Sequence, residues 1–366
     1  MPAVTLDLVA ATPQDPLAAI RWQPARPALI VVGCHAGGEI GNVVVSGVEP
    51  PPGATVFEQM EQLRADDSIR KLLLHEPRGS VAVHSNIVLP SKRADCAFSY
   101  VIMEPTEYPA MSGSNTICVA TVLLETGMVA MREPVTTFRL EAPGGPIDIT
   151  AGCRAGKVAW IELENVPCFA DQLDATVEVD GLGTVTVDVA FGGMWYAITD
   201  AHALGFALEP SEARDLSAVG TRIHHAARQQ LHPVHPENPG IAGISIVQLA
   251  EPWHGVDAVT KNAVVVAPGR LDRSATGTGL SARIAALHAR GLMRVGDSMT
   301  HASVIGSTFD GRIVREVPIG ERTGVVPAIR GSAWITGVTR VLVDPTDPFP
   351  EGYLLSDTWP GNDVQT

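Results

Sequence analysis

A repeated turn and helix constrains the fold of this chain more than any other feature of its 366 residues. Ser112-Gly113-Ser114 opens an apolar helical stretch that stops at Gly127. Thr276-Gly277-Thr278 opens a second stretch that stops at Gly291. In both cases the stop comes 15 residues after the first hydroxyl residue. The sequence therefore predicts a duplicated unit, since equal lengths with the same start and stop are typical of an internal repeat.

The rest of the chain predicts an α+β fold in which sheets dominate. We expect a hairpin turn after each of the two helices, at Gly144-Gly145 and at Asp310-Gly311, and a further one at Asp180-Gly181. Short β-rich runs predict strands at Ala28–Gly33, Ser80–Leu89, Phe98–Met103, Val158–Leu163 and Thr184–Val189. Helical patterns are fewer and cover Glu58–Leu63, Asn115–Glu125, Ser211–Gln230 and Leu280–Ala289.

Composition and charge exclude several classes of function. The chain is long for one hydrophobic core, so we expect two domains. Its formal net charge of −14 disfavours nucleic acid and anionic membrane surfaces as partners. Five cysteines without a CxxC pair fit neither a disulfide framework nor a zinc ribbon, and His232, His235 and Glu237 lack a known ligand spacing, so we expect no metal. Without a signal-like or membrane-spanning run, we expect a cytoplasmic protein.

Each hydroxyl-Gly-hydroxyl turn has two interpretations. Ser and Thr are favoured N-caps and Gly is favoured just after a helix, so one such turn alone is most simply a helix start. Glycine at the second position also lets backbone N–H groups face an anion. Two turns facing each other would hold one carboxylate between two positive helix ends. They would also stabilise the charge that builds when a proton next to that carboxylate is removed.

Asp272 precedes Thr276 by four residues and follows the strand-like run Ala263–Ala267. Its carboxylate could bind a substrate ammonium. It could equally be an ordinary turn or cap residue, and the residues alone leave both interpretations open.

Two segments of the chain, Glu104–Thr116 and Asp272–Gly279, resemble the active-site signatures of the proline racemase superfamily. Cys34–Glu39, Phe191–Tyr196 and Ile335–Gly337 agree with it, so the resemblance covers nearly the whole chain. It implies a diaminopimelate-epimerase-like fold of two pseudo-symmetric halves, each with a sheet or barrel around a central helix, and an active site in the cleft between them. We expect the halves to be residues 1–190, joined by residues 350–366, and residues 191–349.

The resemblance also implies a set of site residues, with no cofactor, no metal and a homodimer. The substrate would be proline or hydroxyproline. The catalytic pair would be Ser112 and Thr276, and the substrate nitrogen would lie near Asp272. The carboxylate would be bound by backbone amides at Gly113, Ser114, Gly277 and Thr278.

This chain departs from the racemases and epimerases of the superfamily, which carry cysteine at both catalytic positions. A thiol has a pKa of about 8.5, whereas a hydroxyl is a far weaker acid, so two-base inversion by Ser112 and Thr276 alone is unfavourable. In another branch, the trans-3-hydroxy-L-proline dehydratases, threonine replaces the second cysteine, and elimination needs Cα deprotonation on one face only. Thr276 matches that branch. Ser112 departs from its usual cysteine, and Ser114 replaces a histidine common in the racemases.

These residues therefore predict a hydro-lyase that converts trans-3-hydroxy-L-proline to Δ1-pyrroline-2-carboxylate. We expect Ser112 to be the base, helped by a neighbour, and Thr276 to position substrate or water. One alternative is a racemase or 2-epimerase of proline or hydroxyproline, because serine at the first position also occurs in family epimerases that keep the second cysteine. The other is a catalytically silent amino-acid-binding homologue that has lost both thiols.

Overall fold

The computed structural model describes residues 28–359 of the chain as a mixed α/β fold built on one large sheet. Within those residues, seventeen strands hydrogen-bond into the large sheet and two more form a small hairpin. Residues 360–366 of the C-terminal segment that we assign to the first half lie outside the described residues. No helix among residues 28–359 is long and apolar enough to cross a membrane.

The elements follow one another in two successive groups of strands, each with a helix enclosed in it. The first group has strands β1 Ala28–Ala36, β2 Glu39–Ser46, β3 Val83–Leu89, β4 Phe98–Met103, β5 Val135–Ala142, β6 Gly145–Arg154 and β7 Lys157–Glu164. Its helices are α1 Val56–Asp66, α2 Ser68–Leu74 and α3 Gly113–Glu125.

The second group begins with β8 Phe169–Val179. It continues with β9 Gly183–Phe191, β10 Trp195–Asp200, the small hairpin β11 Val234–His235 and β12 Asn238–Ala242, then β13 Ile246–Ala250, β14 Val259–Val266 and β15 Arg270–Leu271. The last strands are β16 Ser298–Ser303, β17 Thr308–Ile319, β18 Arg322–Gly331 and β19 Ala333–Leu342. Its helices are a short 3-10 turn Pro210–Glu212, α4 Ala213–Gln230 and α5 Gly277–Ala289.

Two series of strands have the same succession of pairing directions. The first series runs β19, β1, β2, β3, β4, β5, β6, β7, and the second runs β8, β9, β10, β13, β14, β16, β17, β18. In each, the third and fifth pairings are parallel and the other five are antiparallel. The series join where β7 and β18 pair antiparallel.

Helices α3 and α5 are central because their sequences are apolar or small on every side. All residues of α3 from Gly113 to Leu124 are buried, and α5 is buried along most of its length. A helix without a polar face has to be enclosed by protein. The sheet encloses them accordingly, since α3 packs against β1, β2, β3, β7 and β19, and α5 packs against β8, β9, β10, β17 and β18.

The expected strands, the four expected helices and two of the three hairpin turns agree with the structure within a few residues. The turn expected at Asp310-Gly311 is wrong, because both residues lie inside β17 and the chain reverses before that strand, around Gly306. Gly311 instead allows close packing. A Cβ added there would lie 2.7 Å from Ile284 Cδ1 of α5.

The N-termini of α3 and α5 meet backbone to backbone. A Cβ added to Gly113 would lie 2.8 Å from Gly277 Cα, and one added to Gly277 would lie 2.9 Å from Gly113 Cα. Real Cβ atoms do not approach other atoms so closely, so only glycine fits at either position. The two glycines therefore fix the distance between the two helix ends.

Replacing Gly113 with alanine should push the two helix ends apart. We expect Gly113→Ala to lower the free energy of unfolding by about 1–3 kcal/mol, as overpacking typically does. Gly337→Ala is the matched control, because a Cβ there meets nothing within 4 Å. Urea denaturation of both variants measures the difference, and equal stabilities would contradict the proposed contact.

Candidate active site

Ser112 and Thr276 are the N-cap residues of α3 and α5, and neither side chain caps its own helix. Both residues are almost fully buried, with exposed fractions of 6% and 5%. A Ser or Thr at this position normally accepts a hydrogen bond from an amide of the first turn. Both hydroxyls are therefore free of the structural role that their position predicts.

The first turns of the two helices supply amides suited to an anion. The N–H groups of Gly113, Ser114, Gly277 and Thr278 have no carbonyl partner within their helices, because the first four amides of any helix lack one. The contact between Gly113 and Gly277 brings these amides together from two directions. On the α5 side, the Thr278 hydroxyl is 2.6 Å from the hydroxyl of Tyr196, which holds the turn against β10. Amides arranged in this way are able to bind an anion such as a carboxylate.

Thr276 is bonded to Asp272 and held in an unusual backbone conformation. Its φ of 60° lies in the region that favours glycine, which is exceptional for a β-branched residue. Its Oγ1 donates to Asp272 Oδ2 at 2.8 Å, and its backbone N–H donates to Ser274 Oγ at 3.1 Å. Asp272 Oδ1 in turn accepts from the Ser274 amide at 2.7 Å. These bonds hold the strained turn, as is common at functional sites.

Asp272 has an unusually high proton affinity. Burial, together with the negative charge of Glu39, raises the pKa of the Asp272 carboxyl to about 7. The guanidinium of Arg270 and the hydrogen bond from Thr276 act in the opposite direction. A carboxyl with a pKa near neutrality can both take and return a proton at physiological pH.

Ser112 is bonded to a different kind of partner. Asn115 Nδ2 donates to Ser112 Oγ at 2.9 Å and lies 3.2 Å from His84 Nδ1. Asn115 Oδ1 accepts from Asn86 Nδ2 at 2.8 Å, and Asn86 Nδ2 also donates to the Asn42 carbonyl at 3.1 Å. A chain of buried amides from β2 and β3 thus orients the side chain that contacts Ser112.

Buried charges join the two groups of strands next to this site. Arg270 Nη2 lies 2.5 Å from both Glu39 Oε1 and His84 Nε2, and Glu39 Oε2 accepts from the Arg273 amide at 2.8 Å. Burial alone would raise the pKa of Glu39, but the positive charge of Arg270 holds it below its ordinary value. Burial and Arg270 lower the pKa of His84 to about 3. The site therefore contains a neutral imidazole and a permanent ion pair.

Glu104 adds a second carboxyl of raised pKa to this region. It is buried, and its Oε1 lies 3.6 Å from His84 Nδ1. Burial first, and then the nearby charge of Glu107, raise its pKa well above the ordinary value for glutamate. Burial thus favours the protonated form of Glu104, and Glu39 is the negative charge that most raises the pKa of Asp272.

The structure brings together all seven residues that the sequence predicts for the site. Sequence reasoning missed His84 and Arg270, and it quoted Glu39, Glu104 and Asn115 only as parts of motifs or of a helix. One available signal was the Arg at position 270, two residues before Asp272. Elsewhere, Cys118 is a fully buried core residue, and His35 stacks on Trp334 with ring centroids 5.3 Å apart. Among residues 28–359, no group of His, Cys, Asp and Glu is arranged to hold a metal ion.

Comparison with known proteins identifies relatives of the whole fold. Residues 31–354 match the family model described as proline racemase. A hydroxyproline epimerase from Agrobacterium vitis, solved with bound trans-4-hydroxy-L-proline, is 36% identical, with a TM-score of 0.87 over 91% of this chain and 96% of that chain. A probable proline racemase from Agrobacterium radiobacter K84, with bound carbonate, has the same identity, TM-score and coverage of this chain, and 98% of its own chain is covered.

A phenazine biosynthesis protein of the PhzF family from Bacillus anthracis is a more distant match. It is 13% identical, with a TM-score of 0.54 over 86% of this chain and 99% of that chain. At that identity the likeness shows the fold alone. The expected class is thereby confirmed at the level of a mixed α/β fold with a large sheet, shared with these proteins.

The strained turn at Thr276 predicts that glycine is more stable than alanine at this position, the reverse of the order inside a helix. At a positive φ, alanine is strained and glycine is not. We therefore expect the free energy of unfolding of Thr276→Gly to be about 1 kcal/mol higher than that of Thr276→Ala. Within α3, at Ser114, alanine should be favoured over glycine by about 0.5–1 kcal/mol. Chemical denaturation of the four variants measures both differences, and the same order at both positions would argue against strain at Thr276.

Proposed function

Since this chain belongs to the proline racemase family, we propose that it removes the Cα proton of a proline derivative at the site between α3 and α5. In the specific form of this proposal, the protein is a cofactor-independent hydro-lyase. It dehydrates trans-3-hydroxy-L-proline to an enamine, which tautomerises to Δ1-pyrroline-2-carboxylate.

Two pseudo-symmetric halves with the active site between them are part of the proposal. The identical succession of parallel and antiparallel pairings in the two strand series supports it. We divide the chain into residues 1–190, joined by residues 350–366, and residues 191–349. Because β8 and β9 pack against α5, a boundary near residue 165 would keep each central helix with the strands that contact it.

The substrate carboxylate would lie between the two helix ends. Amides of Gly113 and Ser114 would bind it from α3, and those of Gly277 and Thr278 from α5. Loss of the Cα proton places negative charge on this carboxylate, and preorganised N–H donors stabilise such charge in the transition state. The substrate nitrogen would lie near Asp272. This placement leaves Cα between the hydroxyls of Ser112 and Thr276, the proposed catalytic pair.

The observation that carries dehydration over inversion is the lack of a thiol at either helix end. All five cysteines are buried. Cys118 is the cysteine nearest in sequence to Ser112, but its side chain lies beside Gly41. A Cβ added to Gly41 would be 3.1 Å from Cys118 Sγ. Burial raises the pKa of the Cys118 thiol well above its ordinary value. Inversion needs an acid and a base on opposite faces, whereas elimination needs deprotonation on one face only.

A 2-epimerase or racemase is the second candidate. The epimerase from Agrobacterium vitis, which is 36% identical to this chain, was solved with bound trans-4-hydroxy-L-proline. The shared fold, at this level of identity, supports the same substrate class here. A homodimer and a cytoplasmic location remain predictions that follow from the resemblance and the sequence.

Incubation of the purified protein with three substrates separately tests the proposal. In D2O, we expect trans-3-hydroxy-L-proline to give pyrroline carboxylate, and trans-4-hydroxy-L-proline and L-proline to give no inverted product. Pyrroline formation is followed by colorimetry, and product chirality and deuterium content by chromatography with mass spectrometry. Inverted, deuterated 4-hydroxyproline or proline would instead establish an isomerase.

A third outcome would identify a binding protein. Pyrrole-2-carboxylate is a flat mimic of the deprotonated substrate. If it binds in calorimetry while none of the three proline derivatives is turned over, the chain is a catalytically silent homologue and the dehydratase proposal fails.

A further inference from the structure

The two hydroxyls at the helix ends are hydrogen-bonded with opposite polarity. Thr276 Oγ1 donates a hydrogen bond to a carboxylate oxygen, Asp272 Oδ2, at 2.8 Å. Ser112 Oγ instead accepts a hydrogen bond from an amide, Asn115 Nδ2, at 2.9 Å. A hydroxyl has one proton to donate and two lone pairs that accept. The two residues therefore offer different groups to a substrate placed between them.

On the α5 side, Thr276 can accept but not donate. Its only proton is engaged by Asp272, and its lone pairs are left for the substrate. Any proton that Thr276 takes from Cα can pass on to Asp272 as the Thr276 proton moves along the existing hydrogen bond. This is the arrangement of a nucleophile or base that is activated by an adjacent carboxylate.

On the α3 side, the orientation of the Asn115 amide decides the role of Ser112. The Asn42 carbonyl accepts from Asn86 Nδ2, which fixes the Asn86 amide. Asn86 Nδ2 then donates to Asn115 Oδ1 at 2.8 Å, so Asn115 must present its Nδ2 to Ser112. Among residues 28–359, Ser112 Oγ makes no hydrogen bond to a carboxylate or an imidazole, so its proton is available to a substrate. In this part of the chain, Ser112 therefore has no partner that could remove that proton.

We propose that Thr276 is the base that removes the Cα proton, with Asp272 as the positioning residue that receives the Thr276 proton, and that Ser112 donates a hydrogen bond from the opposite face. This assignment rests on the proposed function and deepens it. It replaces the expectation that Ser112 is the base. The neighbouring group that makes a hydroxyl more basic is Asp272, and it acts on Thr276 rather than on Ser112.

The step balances for dehydration. The Cα–H bond breaks, its proton goes to Thr276 Oγ1, and the former Thr276 proton goes to Asp272 Oδ2. The electron pair forms the Cα–Cβ double bond as the bond to the 3-hydroxyl breaks. In trans-3-hydroxy-L-proline that hydroxyl lies on the same ring face as the Cα hydrogen. The proton on Asp272 can therefore return through Thr276 to the departing hydroxyl, which leaves as water, and both residues are restored.

The surroundings of Asp272 suit this role. Glu39 faces it from β2, Glu104 from the loop after β4, Arg270 from β15 and Tyr196 from β10. Burial and Glu39 raise the pKa of Asp272 to about 7, so the carboxylate form is available at neutral pH and still binds a proton strongly. Arg270 is committed to Glu39 and His84, so Asp272 has no direct ion-pair partner among the described residues.

Four variants test the assignment through release of the Cα hydrogen to solvent from Cα-deuterated substrate, a step that both a dehydratase and an epimerase require. We expect Thr276→Val and Asp272→Asn to slow this release by at least about 100-fold, as loss of a general base does. Ser112→Ala should slow it by about tenfold or less. Thr276→Ser, which keeps a hydroxyl, should restore much of the rate lost in Thr276→Val, and circular dichroism checks that each variant folds.

The pH profile separates a chemical role of Asp272 from a structural one. Because the carboxylate form must receive a proton, the wild-type rate should fall as pH drops below about 7. Asp272→Glu should keep an acidic limb, and Asp272→Asn should lose it. Ser112→Ala should keep the wild-type limb, since Ser112 does not take the proton.

Two results would overturn the assignment: a loss in Ser112→Ala as large as that in Thr276→Val, or an unchanged acidic limb in Asp272→Asn. Either can occur whichever product the wild type forms, so failure of the assignment is distinguishable from failure of the dehydratase proposal. A wild-type protein that releases no Cα hydrogen from any of the three substrates would overturn both.

Discussion

The close approach of Gly113 and Gly277 is the constraint on which the rest of the structure depends. Two helix N-termini can meet at this distance only if neither carries a Cβ, and their like dipole ends repel each other. An anion bound between the ends, as we propose, would offset this repulsion. Both helices run inward to the same point, and the sheet curves around each of them. The fold and the proposed anion site thus depend on the same contact.

A second requirement is electrostatic. Glu39 belongs to the first group of strands and Arg270 to the second, and their buried ion pair is adjacent to the turn that bears Asp272. Burying such a pair costs desolvation free energy, and an uncompensated charge left by removing one partner costs more. Here the pair does more than join the two groups. Burial is the main cause that favours the neutral forms of Asp272 and His84, and the ion pair adds to it, since Glu39 further raises the pKa of Asp272 and Arg270 further lowers that of His84.

The sequence predicts the two helices and their opening residues well, because caps, apolar runs and stop glycines are local signals. Asp272 was also within reach, since it precedes Thr276 by only four residues. Asn115, three residues after Ser112, was equally near in sequence. His84 and Arg270 were not, because His84 lies 31 positions before Asn115 and Arg270 contacts it from 186 positions away in the chain. No periodicity encodes such contacts. At Asp310-Gly311 a local signal was misleading. The Asp-Gly pair is typical of a hairpin turn, but here the glycine is needed for close packing against α5.

The pairing of β19 with β1 bears on how the protein is made. Strand β1 has β2 on one side and β19 on the other, and β19 is the last strand among residues 28–359. Because a ribosome releases the N-terminal segment first, the edge of β1 that pairs with β19 has no hydrogen-bond partner until the chain has been synthesised up to Leu342. Unpaired edges recruit other strands. The nascent polypeptide must therefore keep this edge from intermolecular pairing until its own final strand arrives, and premature termination anywhere before Ala333 exposes it permanently.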